Sequence, residues 1–529
     1  MGIFIHLVIS GNIRKEEWEK AYEESLKLVK AFPFYEVQER SYYGKQLYCA
    51  VPTKEREWYE KTGWRTCGDY CTMKGAEDYF LPRELEESEM EKEEEHLDAL
   101  MGIVPAYCSI DWKDERCSHY HNLWGNKTQG EPYHMYLLAV ACLLESRLGR
   151  KAAVYGDITK GQCRKAVEMA NRYLEEPVKL PVRCDMVRFY ERVRELPLKT
   201  AEVLEVFINC FLGKKNGRFG AFIREHFTRE EIEYYWRMKF TRAKFRTMGF
   251  EGNVHKYLTL GFSLEDLCGY IQCSDEIEEA DYVYFVRLIM QSEMHIKEKD
   301  CRDFLEIDQE SEQPYSIYTL MMRFAFLGAA NKKVDCFIPL DEIREILKKG
   351  IGKLCDVDSA IQQYCEEEQK KASGESSSAE DESDILKEFI DTQIGEMKKE
   401  DETFDITEFD HLIFYKKGDS LRPVVEEGVL EFYRFYAGTT KEDRFNELLE
   451  ETPQSRCQFL IERNRTMTLR EEDWKHLFDK IETEKASFRR YYPMVRVEMN
   501  SEDTIDIVRA IVLNDELFQY CEGEMAKEV

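Results

Sequence analysis

"KAAVYGDITKGQCRKAVEMA", Lys151–Ala170, opens on small and apolar residues, turns at Gly156 and continues as an amphipathic run. It reads as strand, turn, helix. Gly156 and Gly161 are separated by four residues, the glycine spacing of a phosphate-binding G-x-x-x-x-G-K-[ST] loop. The residues that would do the chemistry differ. Gln162 stands at the lysine position, Cys163 at the magnesium-binding hydroxyl position, and Asp157 brings negative charge to the phosphate's place. Loss of both the cation and the metal ligand removes most of the binding energy. The stretch therefore predicts a structural unit with no bound nucleotide. Asp157 or Thr159 caps the helix, and the glycines permit the turn. Cys163, Ala166, Val167, Ala170, Tyr173 and Leu174 form one helical stripe.

The flanking segments make this unit part of a larger α/β body. "EPYHMYLLAVACLLESRLG", Glu131–Gly149, has Pro132 at a helix start and Gly149 past its end. It is apolar on nearly every side, which predicts a central, buried helix with Val140 and Leu144 in the core. At the N-terminus, "IFIHLVI" (Ile3–Ile9) predicts a buried strand. "RKEEWEKAYEESLKLVKAF" predicts a helix with Trp18, Tyr22, Leu26 and Val29 on one face. A hairpin turning near Gly44 and a tryptophan- and glycine-rich loop, "KTGWRTCGDYCTMKG", follow. From Arg218 onward the pattern is helical, with Thr228–Glu231 and Thr468–Glu471 as capping boxes and Ser263 and Asp341 as further starts.

The expected class is predominantly α and multidomain, with a small α/β N-terminal region and a short strand–helix α/β element in the second block. The blocks are 1–83 (α/β), 84–99 (acidic linker or helix), 100–215 (helix-rich α/β), 216–365 (helical), 366–384 (disordered acidic linker) and 385–529 (helical). The two linker readings rest on charge and low complexity, which cannot bury enough apolar area to fold.

Composition limits function. The chain has 529 residues, 43% hydrophobic, and a net charge of -29. Such a charge repels nucleic acids and anionic membranes unless positive charge is gathered locally. Seventeen cysteines without a dense framework point to reduced thiols and a cytoplasmic protein. The N-terminus lacks the marks of a signal peptide, and His6 breaks a myristoylation motif. No apolar run is long enough to span a membrane.

Two candidate sites stand out. Cys108, Cys117, His119, His121 and His134 form a Cys/His-rich segment, and zinc is the metal such a set would take. The paired C-x-x-C and H-x-x-x-H spacings are missing, so no metal or other cofactor is predicted outright. The second is "WRMKFTRAKFR", where Arg237, Lys239, Arg242, Lys244 and Arg246 alternate with aromatics and carry no acid. Basic residues with stacking rings suit single-stranded nucleic acid. Yet Ile232, Trp236, Phe240 and Ala243 fall at helical spacing, as a core face does, leaving the basic side for an acidic protein or for the chain's own acidic surfaces. No nucleophile elbow, HExxH frame or C-x-x-C redox spacing occurs, which argues against an enzyme. The leading expectation is a cytosolic multidomain protein-binding protein, scaffold or regulatory. The alternatives are a metal-dependent hydrolase or nuclease using Cys108–His134, and a nucleic-acid-binding effector using the basic helix 229–247.

Overall fold

The structure is a computed structural model that describes residues 2–58, 61–69, 74–86, 97–272, 278–299, 301, 311–312, 333–372, 405–465, 467–496 and 501–528. It is predominantly α and multidomain, with small sheets of two or three strands.

Strand β1 (Phe4–Ser10) is the middle of the sheet that organises the N-terminal half. It pairs antiparallel with β7 (Tyr120–Lys127) on one side and β8 (Ala152–Gly156) on the other. Side chains alternate across it. Ile5, Leu7 and Ile9 enter one core with the Tyr133–Leu148 helix, while Val8 enters a second core on the opposite face. The sheet is thus covered on both sides. This pairing joins the segments on either side of the 84–99 stretch into one body, because β1 lacks edge partners within residues 1–83. Residues 87–96 of that stretch lie outside the described residues. Asp98, just beyond them, caps a short 3-10 helix at Ala99–Gly102 and forms a buried two-pronged ion pair with Arg192, at 2.7–3.1 Å.

The Tyr133–Leu148 helix is buried nearly all round, with Val140 and Leu144 fully enclosed, and Gly149 ends it at a φ of 63°. Burying each such side chain is worth roughly 1.5–3 kcal/mol. Strand β8 leads through Gly156 into the Lys160–Ala170 helix. Thr159 is the cap. Its hydroxyl accepts from the Gln162 amide N–H, and the Gln162 side chain accepts from the Thr159 N–H. Asp157 instead accepts from the Phe4 N–H at 2.9 Å, tying the turn to β1. Gly156 has a φ of 123°, and a Cβ there would lie 2.4 Å from the Phe4 carbonyl oxygen. The glycine serves this close approach. Of the expected stripe, Tyr173 lies past the helix end and is half exposed, because the helix stops at Ala170.

Strands β2 (Tyr35–Tyr42) and β3 (Lys45–Pro52) form the expected hairpin, turning through Tyr43 and Gly44, both at positive φ. The region expected as a loop, 61–75, carries β5 (Lys61–Asp69) and the start of β6 (Lys74–Pro82), which with β4 (Arg56–Trp58) form their own sheet. Trp64 and Thr66 point inward and are fully buried. Gly63 permits the strands to close, since a Cβ would lie 2.3 Å from the Leu81 carbonyl oxygen. The glycine that suggested a loop is therefore a strand glycine.

The described helices between Met186 and Ala372 share one hydrophobic core with Val8, Ala153 and Tyr155 of the β1 sheet. The Val357–Ala372 helix runs through residues 366–372, into the stretch read as linker; 373–404 lie outside the described residues. In the C-terminal part, two short strands, β9 (Asp405–Ile406) and β10 (Ser420–Leu421), pair in parallel. β11 (Leu469–Arg470) adds to β3 in parallel, so the β2–β3 hairpin shares a core with the Asp443–Leu513 helices. This strand separates the expected Thr468 cap from the helix, which starts at Glu471, and Arg470 before it makes no side-chain cap.

Candidate functional site

The end of β8 leads to the polar cluster. Tyr107 ends a short helix, Val104–Tyr107, and its hydroxyl exchanges long hydrogen bonds with both the N–H and carbonyl of Gly156. Arg183 is fully buried. Its guanidinium donates to the Val154 carbonyl at 3.2 Å and the Cys210 carbonyl at 2.7 Å, and lies 4.7 Å from the centre of the Tyr107 ring.

Opposite lies the Thr200–Cys210 helix. Three consecutive residues face its C-terminal half. The Tyr107 carbonyl accepts from Asn209 Nδ2 at 3.0 Å, the Cys108 thiol hydrogen-bonds with the Cys210 thiol, and Ser109 Oγ donates to Glu205 Oε1 at 3.2 Å. Three lysines close around them. Lys256 donates to Asn209 Oδ1 at 2.9 Å, Lys215 to the Asn209 carbonyl at 3.2 Å, and Lys239 to Glu205 Oε1 at 2.9 Å. Burial, with the neighbouring cations, lowers Lys256 to about 7; burial also lowers Lys215, to about 8. The hydrogen bond from Cys108 holds Cys210 below the ordinary thiol range, assisted by Arg183 and Lys215, and the same bond raises Cys108.

Both candidate sites read from the sequence contribute here, one residue each: Cys108 from the Cys/His segment and Lys239 from the basic run. The others diverge. Cys117 is buried in the helical core, and burial raises its thiol to about 11. His119 lies in the loop before β7, where its carbonyl accepts from the Gly11 N–H, and His121 lies on β7 opposite Ile9. His134 is enclosed at the start of the central helix, 2.7 Å from the Thr128 hydroxyl, with Gln162 as a further polar neighbour. Burial lowers it to about 4. The structure does not bring these five together. Among the described residues, the one group of three or more possible ligands within mutual reach is Glu408, Asp410 and His411, in the C-terminal part.

The basic run is two helices. The first, Arg229–Arg242, is capped by the Thr228–Glu231 box; Arg246 then adopts a φ of 60°, and Thr247 caps the Met248–Thr259 helix. Trp236 and Phe240 are buried, Ile232 and Ala243 half-buried, and Phe245 stacks on Phe250 at 4.2 Å. The rings that could have stacked on bases turn inward. Lys239 binds Glu205, Arg246 pairs with Asp281 at 3.1 Å, and Arg237 lies 5.9 Å from the Tyr270 ring centre. Arg237, Arg242 and Lys244 are exposed, as are Tyr234 at 53% and Met248 at 62% exposure.

Arg183, Lys215, Asn209 and Lys256 were not singled out in the sequence. The excess of basic residues from Lys214 to Lys256, eleven against five acids, already contained two of them. No family model, curated protein or solved structure matches this chain.

Proposed function

We propose that the chain is a cytosolic protein-binding protein of the scaffold or regulatory kind, using the outer surface of the Arg229–Arg242 helix and the turn after it. One observation carries this reading. Tyr234 and Met248 are exposed in the same stretch of chain as the exposed Arg237, Arg242 and Lys244. Aromatic residues, methionine and arginine are the types enriched at protein interfaces and their hot spots. The partner surface that fits is apolar with an acidic rim. The cytosolic assignment is supported by the fifteen described cysteines, all free thiols. No helix among the described residues is long and apolar enough to cross a membrane.

The test is co-purification from the source cells with the wild-type chain and an Arg237→Glu/Arg242→Glu/Lys244→Glu variant, quantified by mass spectrometry. The reading expects a discrete set of proteins that the wild type retains and the variant loses. Equal recovery by both, or material that nuclease removes, would refute it.

A further inference from the structure

We propose that Cys108 and Cys210 form a reversible dithiol–disulfide site, oxidised by a hydroperoxide, at the junction of the β1 sheet and the helical array. The chain on either side of Cys108 is held against the helix that ends at Cys210. Asn209 holds the Tyr107 carbonyl at 3.0 Å, and Ser109 holds Glu205 at 3.2 Å. This juxtaposition is the one from which a disulfide closes. Both are free thiols; Cys210 is buried and Cys108 is partly exposed, so a small oxidant enters from the Cys108 side. The hydrogen bond from Cys108 favours the Cys210 anion, with Arg183 and Lys215 assisting, an electropositive setting of the kind in which thiols react.

The chemistry closes on named atoms. The Cys210 thiolate attacks one peroxide oxygen, forming an S–O bond as the O–O bond breaks. The leaving alkoxide takes a proton and departs as an alcohol, or as water from hydrogen peroxide. The Cys108 sulfur then attacks the Cys210 sulfur. The S–S bond forms, the S–O bond breaks, and the departing hydroxide takes the Cys108 proton as water. Two electrons pass from sulfur to the peroxide. An external dithiol reverses the result by exchange.

The full reduced chain is treated with graded hydrogen peroxide, alkylated, digested and mapped by mass spectrometry. The expected product is a Cys108–Cys210 linked peptide that appears before any other thiol is oxidised. It disappears with dithiothreitol and is absent from Cys108→Ser and Cys210→Ser. Closing a loop of about 100 residues restricts the unfolded chain, so the oxidised protein should also unfold at higher denaturant concentration. Lys215→Gln should slow the linkage at least about threefold by weakening thiolate stabilisation, with Lys215→Arg restoring the rate. Absence of the linked peptide, its appearance only after other thiols are oxidised, or an unchanged rate in a folded Lys215→Gln variant would overturn the proposal.

Discussion

Arg183 and Cys184 are consecutive residues facing two different thiol environments. Arg183 reaches the Cys210 carbonyl beside the Cys108–Cys210 pair. Cys184 belongs to a trio with Cys163 and Cys142, in the core around the Tyr133–Leu148 helix. Both groups have sulfur beside sulfur. They differ in what surrounds them. Burial raises Cys142; the hydrogen bond with Cys142 raises Cys163 against an opposing bond with Cys184, the bond with Cys163 raises Cys184, and burial adds to both. In the pair the hydrogen bond from Cys108, assisted by Arg183 and Lys215, moves Cys210 the other way. Proximity of two thiols is thus not what makes them chemically available. The pair also opens to solvent at Cys108, whereas the fully buried cluster packs as three small apolar side chains.

The largest expected effect comes from breaking the dry side. Leu144 is fully enclosed in the same core as the trio, so Leu144→Ala should cost about 2–5 kcal/mol. Denaturant unfolding measures this, and alkylation of Cys142, Cys163 and Cys184 should quicken in parallel. A cost below about 0.5 kcal/mol would be a surface effect and would contradict the enclosure.

A smaller change acts on one helix end. Thr159 caps the helix that carries Cys163 four residues later. Thr159→Ala should lower stability by about 1 kcal/mol and increase hydrogen exchange at the Gln162 and Cys163 amides. Unchanged exchange there would remove Thr159 as the cap.

On the wet side the expected effect is a pH dependence. Lys256 is lowered to about 7 in the fold, against about 10.4 for an ordinary lysine. Between those values the unfolded chain holds the extra proton, so this lysine's contribution makes stability rise with pH. Its charged form is least tolerated below pH 7. Lys256→Met should therefore gain on the wild type more at pH 6 than at pH 9, as measured by denaturant midpoints at both. A gap independent of pH would mean that the amine is solvated. The smallest effect belongs to the exposed residues: Arg237→Glu/Arg242→Glu/Lys244→Glu should change stability by only a few tenths of a kcal/mol per site, read from the same midpoints.

Much of this comparison was legible in the sequence on its dry side. The apolar run Tyr133–Leu148, strand β1 and the Cys163 stripe are local patterns, and hydrophobic periodicity reports them directly. The helical stripe also showed that Trp236 and Phe240 are core residues. The wet side was only half visible. Cys108 and Lys239 drew attention for other reasons, as a metal ligand and a partner contact. Their common neighbours Asn209 and Glu205 lie about a hundred residues from the Cys108 segment, and no local pattern encodes that meeting. The same holds for β11 reaching β3 across more than four hundred residues. Strand β5 was missed because Gly63 and Gly68 outweighed the alternation of Trp64 and Thr66, whose inward positions only the sheet reveals.

The most direct test of the account is the relative reactivity of the two thiol groups in the native, reduced chain. Native protein is labelled at pH 7 with a small thiosulfonate reagent, and the time course of modification is followed at each cysteine. The account expects the Cys108–Cys210 pair to be modified first, with Cys142, Cys163 and Cys184 following only at the rate of core opening. Equal rates for the two groups, or faster modification of the trio, would contradict it.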